Sequence, residues 1–405
     1  MAVEPRQGFP AGRNRSAARL TRPPVGLSAL PDPPEDIWAK MKMMVRSEAE
    51  LAAAILAADA PIGVHGGGTR ARVAGHGLAT SGLSGVKLYE PGALTLVVGA
   101  GTPLAEVEAL LAGERQRLGF EPPVMNRLMG RDGASTIGGV AAMNASGPRR
   151  VQVGAARDAM LGVRMVTGRG EIVSNGGRVM KNVTGYDLVK LVAGSRGTLG
   201  VLTEISLRVQ AVPEAEVTLV SERDLAEGLA TLRAGLRTPF DLSGAAWAGG
   251  RAMIRVEGLA GSVAYRARSL REGLGGDWAV VEGAQSAALW AAQRDVLAFA
   301  GRAGAVWRLH CRQTDARQIA DALGIGADRV VADWGGALLW VLAEPAFDLR
   351  GALRDARLAA DATVVRGAEG LLAATLPPEA PEVAALTQGL RQAFDPLRLF
   401  SQGAM

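Results

Sequence analysis

Apolar positions change their period along the chain and so mark out elements. After Ser47, Leu51, Ile55 and Leu56 recur at helical spacing, and Ser47 with Glu50 three residues on forms a capping-box pattern. Pro61–Val64, Val86–Tyr89 and Thr95–Val98 are short runs bounded by Gly or Pro and predict strands. Pro103 opens a second helix with Leu104, Val107, Leu110 and Leu111 on one face. Strand, glycine turn and short helix alternate to about Val209. Val212–Glu216, around Pro213, reads as a domain boundary. Beyond it the strand-like runs Val217–Ser221, Ala252–Val256, Val306–His310 and Leu338–Leu342 alternate with helical runs near 222–235, 262–273, 285–299, 314–323 and 348–360. That alternation predicts an antiparallel sheet backed by helices, before a return through Phe394, Asp395 and Pro396.

Residues 1–40 follow neither period. They are rich in Pro, Arg and Gly, and such a segment buries too little to offset its ordering entropy, so a disordered leader is expected. A true start near Met41, Met43 or Met44 is the alternative, and an arginine-rich, acid-poor leader also has the composition of an organelle transit peptide, the lesser reading. The expected division is a leader at 1–40, a first domain over 41–213, a cap lobe over 214–392 and a C-terminal segment, 393–405, returning to the first domain.

Composition narrows the classes. The 405 residues suit two packed domains. No apolar run of 18 or more residues lacks charge, so no membrane span is expected. Net charge is +5, carried almost wholly by arginine, with only five lysines and few aromatics, which argues against a nucleic-acid surface. The single cysteine, Cys311, excludes an internal disulfide and a Cys-ligated iron–sulfur cluster within the chain. A reducing compartment such as the cytoplasm fits best.

Three segments could carry chemistry. In Pro61–Arg70 an apolar strand runs into Gly66, Gly67 and Gly68, followed by Thr69, so backbone N–H groups could cradle an anion such as a pyrophosphate. It has neither the Gly-Lys-Ser/Thr of a nucleotide-triphosphate loop nor the spacing of the dinucleotide fingerprint, and an ordinary glycine turn is the other reading. In Ser135–Arg150 small residues would let a flat ligand lie against backbone, with Thr136, Asn144 and Ser146 as hydrogen-bonding groups; a tightly packed helix between turns is the plainer reading. In Val179–Glu204 a glycine-punctuated strand could meet a ligand near Gly200 and Val201, or be a bulged core strand.

Together and in this order the three segments resemble the vanillyl-alcohol-oxidase-type (PCMH-type) FAD-binding superfamily. His65-Gly66-Gly67-Gly68-Thr69 is similar to its Arg-Gly-Gly-Gly-Thr pyrophosphate loop, with His65 in the arginine place. Thr136-Ile137-Gly138-Gly139 is similar to its second flavin loop. Gly194-Ser195-Arg196-Gly197-Thr198-Leu199-Gly200 is similar to its Gly-Ser-Glu-Gly-Thr-Leu-Gly strand, with arginine replacing glutamate. Gly119–Pro123, Ser146-Gly147-Pro148-Arg149-Arg150, Ala156-Arg157-Asp158, Leu161–Arg164, Trp290, Arg294-Asp295 and Phe394-Asp395-Pro396 narrow the resemblance to the small FAD-binding subunits of glycolate oxidase, over about residues 45–405.

The resemblance implies an α+β fold: an FAD domain of two α/β subdomains with an antiparallel-sheet-plus-helices cap lobe. It implies FAD bound by His65, Gly66, Gly67, Gly68, Thr69, Thr136, Ile137, Gly138, Gly139, Asn144, Ser146, Gly147, Gly200 and Val201. The position at which some members attach flavin through a histidine is Thr69 here, so non-covalent flavin is expected. The closing Phe400-Ser401-Gln402-Gly403 departs from the family's Phe-Asn-Pro-Gly, and a flavin contact from that loop is not expected. The implied activity is oxidation of glycolate to glyoxylate within a complex. A larger FAD-binding catalytic subunit and an iron–sulfur subunit are the implied partners, with the membrane reached only through them. The three histidines, His65, His76 and His310, form no His-x-His pair, so no metal site is expected. Arg149, Arg150 and Arg157 are candidate anion contacts, and Tyr186 and Asp187 could border the flavin. The catalytic residues stay unassigned. An assembly subunit with a degenerate flavin site and a free-standing 2-hydroxy-acid oxidoreductase are the competing readings; the intact glycine loops weigh against the former and the missing histidine pair against the latter.

Overall fold

A computed structural model describes residues 43–70, 76–178, 185–372 and 375–400. The leader, residues 179–184 of the third motif and Ser401–Gly403 lie outside the described residues. The helix expected after Ser47 runs Glu48–Ala57, and Ser47 accepts a hydrogen bond from the Glu50 N–H at 3.1 Å. Its reciprocal bond is displaced by one residue: the Glu50 carboxylate takes the N–H of Arg46, at 2.8 Å, rather than that of Ser47.

Three larger sheets and one two-stranded pair follow among the described residues. Strands β1 (Met43–Met44), β2 (Ile62–His65) and β3 (His76–Ala79) form a small parallel sheet ordered β1-β3-β2. Strands β4 (Val86–Glu90), β5 (Thr95–Gly99), β7 (Met160–Val166), β8 (Ile172–Gly176) and β9 (Val201–Arg208) form an antiparallel sheet ordered β4-β5-β9-β7-β8. Between β5 and β7, β6 (Gln116–Arg117) pairs with β10 (Gln210–Ala211). The helix after Pro103 runs Leu104–Gly113 and buries Leu104, Val107 and Leu111, three of the four residues expected on its inner face.

The third sheet has eight antiparallel strands: β11 (Ala215–Glu222), β12 (Gly244–Ala248), β13 (Arg251–Gly258), β14 (Ala279–Glu282), β15 (Ala305–His310), β16 (Val330–Asp333), β17 (Leu338–Ala343) and β18 (Asp361–Arg366). Four of these were not expected. β12 reads Gly-Ala-Ala-Trp-Ala, without β-branched residues, and is held because it pairs with both β13 and β16. The helical run near 348–360 stops at Asp355, and β18 begins at Asp361 as the sheet's edge strand. The run near 285–299 is a helix over Gly283–Arg294 that breaks where Val296 turns left-handed (φ 52°).

Strand period two explains why β17 is apolar throughout. Leu339, Val341 and Ala343 pack in the core under helices 225–236, 260–274, 316–322 and 349–355. Leu338, Trp340 and Leu342 pack on the other face against Met125 and Leu128 from the N-terminal half. On β15, Val306 shares that second face, so Arg308 and His310, two and four residues on, point the same way.

Charge joins the halves. Arg255 and Glu257 on β13 meet Glu121, Arg117 and Arg149: Arg255 makes two bonds to Glu121 (2.9 and 2.8 Å), and Glu257 pairs with Arg117 at 2.9 Å and with Arg149. Glu216 on β11 stands 4.0 Å from Arg255. The Arg255 guanidinium also stacks on the Trp290 ring at 4.4 Å. Chain return is fixed by Asp395, whose carboxylate accepts from the N–H groups of Leu399 and Phe400 (2.9 Å each), while Ile62 of β2 donates to Leu399 O at 2.6 Å.

Burial would raise the Glu257 pKa, but Arg255, Arg149 and Arg117 outweigh it and hold the carboxyl at about 2, against an ordinary 4.5. Its contribution to stability is therefore complete above about pH 4.5 and is lost as pH falls towards 2. Glu257→Gln, which strands the buried Arg149, is expected to cost about 3–5 kcal/mol in denaturant unfolding and to flatten the acid limb of the stability profile. An unchanged acid limb would show that the network does not govern that transition.

Candidate functional site

The glycine loop after β2 is forced by close approach. A Cβ on Gly66 would collide with the Thr136 hydroxyl, and one on Gly67 with the Ala134 carbonyl oxygen. Gly68 adopts φ 70°, the left-handed region that favours glycine. The first two expected segments thus lie against each other, and a cleft opens over them. It is lined by Val64, His65, Gly66, Gly67, Gly68, Thr69, Arg70, Thr136, Gly139, Ala142, Met143 and Arg196.

Half of the expected cofactor residues, His65 to Thr69 with Thr136 and Gly139, line this cleft. The rest do not border it. The N–H groups of Ile137 and Gly138 are taken by Thr102 O (3.0 Å) and Ala100 O (2.7 Å), and that of Gly139 by the Thr136 hydroxyl (3.3 Å). Ile137 is buried in the core around β5 and β9. Asn144, left-handed at φ 47°, accepts from Arg157 N–H at 2.9 Å, and Ser146 accepts from Ala156 N–H at 2.9 Å. Gly147 O receives the Trp334 indole N–H at 3.0 Å. Gly200, at φ 153°, packs tightly against Met165 and Val166, and Val201 is buried in β9.

Among the described residues, His65, Arg70 and Arg196 border the cleft with no carboxylate in ion-pair distance. The His65 Nδ1 lies 3.1 Å from Gly66 O, and its Nε2 is buried without a hydrogen-bond partner. Arg70 donates to Pro123 O (2.6 Å) and Ser135 Oγ (2.8 Å), and burial lowers its pKa to about 10. Arg196 is left-handed (φ 58°), its Nη1 is buried and unpartnered, and burial alone lowers its pKa to about 10. A guanidinium stays charged even so, and an uncompensated buried cation draws an anion. Arg70 and Arg196 were not singled out as site residues. The signal for Arg196 was its replacement of glutamate within the third motif.

The other candidates are otherwise employed. Arg149 is buried and paired with Glu257, and Arg157 is exposed, 3.9 Å from Asp158. Asp187 accepts from the Lys190 N–H at 3.0 Å at the start of helix 188–192, and Tyr186 is 90% exposed. His310 faces the N-terminal half; burial, then Arg308 and Arg150, lower its pKa to about 3, so its ring is neutral at physiological pH.

The cleft fits an FAD pyrophosphate: a glycine floor pressed on residues 134–136 where a side chain at Gly66 or Gly67 has no room, and an orphaned buried guanidinium donor of Arg196 beside it. A family model described as FAD binding domain matches residues 39–176. Glycolate oxidase subunit GlcE of Escherichia coli is 36% identical, over 64% of this chain and 67% of that protein. Glycolate oxidase subunit GlcD of Bacillus subtilis is 41% identical, but over 22% of this chain and 18% of its own length. Among solved structures, an alkyldihydroxyacetonephosphate synthase superposes over 88% of this chain and 74% of its own with a TM-score of 0.63 at 15% identity, a likeness of fold. Fold, glycine cleft and sequence likeness agree: the chain belongs to the family of glycolate oxidase subunit GlcE, FAD-binding oxidoreductase subunits, and its cofactor is FAD.

Proposed function

We propose that this chain is the non-covalent FAD-carrying subunit of a complex that oxidises glycolate to glyoxylate and passes the electrons to an iron–sulfur subunit. The observation that carries the reading is the glycine cleft, where the unpartnered Arg196 Nη1 donor and the His65 ring stand beside a loop that excludes side chains. Residues 41–213 hold the cofactor in this reading, 214–392 form the cap and 393–405 return to the first domain. Gly66, Gly67, Gly68 and Thr69 hold the pyrophosphate through backbone, with Arg70 and Arg196 supplying positive charge and His65 lining the wall. Thr136 fixes the second wall, and Asn144, Ser146, Gly147, Gly200 and Val201 support it from behind. Bound FAD supplies a two-electron acceptor for the 2-hydroxy acid. Thr69, at the position of histidyl attachment, has no nucleophilic nitrogen, which favours non-covalent binding.

Partners follow from the chemistry. The chain has one cysteine, too few to ligate an iron–sulfur cluster, so in this reading the cluster sits in another subunit. A larger flavin subunit completes the complex. Among the described residues no helix is long and apolar enough to cross a membrane, so contact with the inner membrane from the cytoplasmic side runs through a partner.

The visible spectrum of purified chain before and after acid precipitation tests cofactor and attachment together. Flavin absorbance that moves to the supernatant is expected; colour in the pellet would refute non-covalent attachment. A colourless chain that takes up no added FAD would favour the assembly-subunit reading. Gly67→Ala should weaken FAD binding by at least about tenfold, because its Cβ meets backbone that cannot yield, while Gly92→Ala, with open space around it, should bind FAD as before. Equal FAD titrations for the two variants would remove the loop from the site.

A further inference from the structure

Outside the flavin cleft, a second cleft opens at the seam between helix 225–236 and the turn after β16. Arg150, Arg233, Arg237, Gln313 and Trp334 line it, with Val151, Leu236 and Ala337 supplying apolar wall. Trp334 is its anchor: its indole N–H bonds to Gly147 O, and its carbonyl accepts from Gln313 at 2.9 Å. The Arg150 guanidinium stacks on the indole at 4.7 Å, and that of Arg308 stands 5.7 Å from it.

The charges here are not matched. None of Arg150, Arg233, Arg237 and Arg308 has a carboxylate within ion-pair distance among the described residues. Arg233 donates only to Gln313 O, at 3.3 Å. Asp158, whose charge Arg150 feels, is already engaged by Lys190 at 3.3 Å and by Ala155 N–H. Asp333, the acid nearest Trp334 in sequence, bonds to the Trp334 N–H at 2.7 Å, and burial pushes its pKa up to about 7. The C-terminal end of helix 225–236 offsets part of the charge of Arg233 and Arg237, by less than one carboxylate would.

We propose that this cleft is a binding site for a small organic carboxylate, held by Arg150, Arg233 and Arg237 over the Trp334 ring, with Arg308 behind it. Guanidinium forks suit a carboxylate, and the apolar wall of Val151, Leu236 and Ala337 suits a carbon skeleton rather than a bare inorganic ion. The position has a consequence. Arg308 feels the charges of both Arg150 and Arg196, and Arg196 lines the flavin cleft, so the two clefts lie at the ends of one run of positive charge. A 2-hydroxy acid, or the 2-oxo acid formed from it, is drawn along this run; that identity, though not the carboxylate chemistry, rests on the flavoenzyme reading.

Isothermal titration of the full chain with oxalate, and separately with inorganic phosphate, tests the site, with flavin content recorded for every sample. Oxalate should bind, more tightly than phosphate, and the double variant Arg233→Gln/Arg237→Gln should weaken it at least about tenfold with thermal melting and flavin content unchanged. Arg233 is half-buried and Arg237 exposed, so the variant should fold. Arg329→Gln, which removes an exposed arginine paired with Glu344, should leave oxalate affinity as it was. The proposal is overturned by absent oxalate binding, by phosphate binding more tightly, by unchanged affinity in the double variant, or by an equal loss in Arg329→Gln. Oxalate binding by a chain that takes up no FAD would sink the flavoenzyme reading and leave the carboxylate site standing.

Discussion

Three arginines and three glutamates, three of them buried and three half-buried, between the N-terminal half and the eight-stranded sheet constrain everything else. Arg117, Glu121 and Arg149 come from one side, Glu216, Arg255 and Glu257 from the other, so equal numbers of opposite charges leave water together. Desolvating the buried three, Arg149, Arg255 and Glu257, costs several kcal/mol each, and only close, multiply bonded pairing offsets it. Any slide of the sheet would leave a buried guanidinium without its carboxylate. With the seam set in this way, Trp334 meets Gly147 across it, and Arg308 and His310 face the N-terminal half.

Against that matched network, the unmatched cations stand out. Arg70 and Arg196 beside the glycine loop, and Arg150, Arg233 and Arg308 around Trp334, are drawn in from solvent to varying degrees, Arg237 beside them is exposed, and none has a carboxylate within ion-pair distance among the described residues. Burial cannot discharge a guanidinium, so the buried ones are a standing demand for an anion. A fold that neutralises one set of arginines and leaves another open separates scaffold from site by charge balance alone. The FAD pyrophosphate and the carboxylate of a small acid are the anions these positions suit.

The motif residues divide along the same line. His65, Gly66, Gly67, Gly68, Thr69, Thr136 and Gly139 line one cleft because the loop after β2 packs directly on residues 134–136. Ile137, Gly138, Asn144, Ser146, Gly147, Gly200 and Val201 are instead taken up by core packing, close approach or hydrogen bonds to other parts of the fold. Both groups look alike in a sequence, since a glycine required by a ligand and a glycine required by a neighbouring strand leave the same mark.

Local pattern alone determined the helix after Ser47, the helix after Pro103, the glycine-ended strand β2 and the long apolar strands β15 and β17, because capping groups and hydrophobic period act within a few residues. The order of three glycine-rich segments was enough for the fold class and for FAD. Only tertiary structure decided the rest. β12, all glycine, alanine and tryptophan, is a strand because two neighbours hold it, and β18 because β15 presents a free edge. Arg149 and Arg150 are adjacent in sequence, but one meets Glu257 and the other only an indole face. Their different fates depend on residues more than a hundred positions away, and charge compensation across that distance leaves no trace in local spacing.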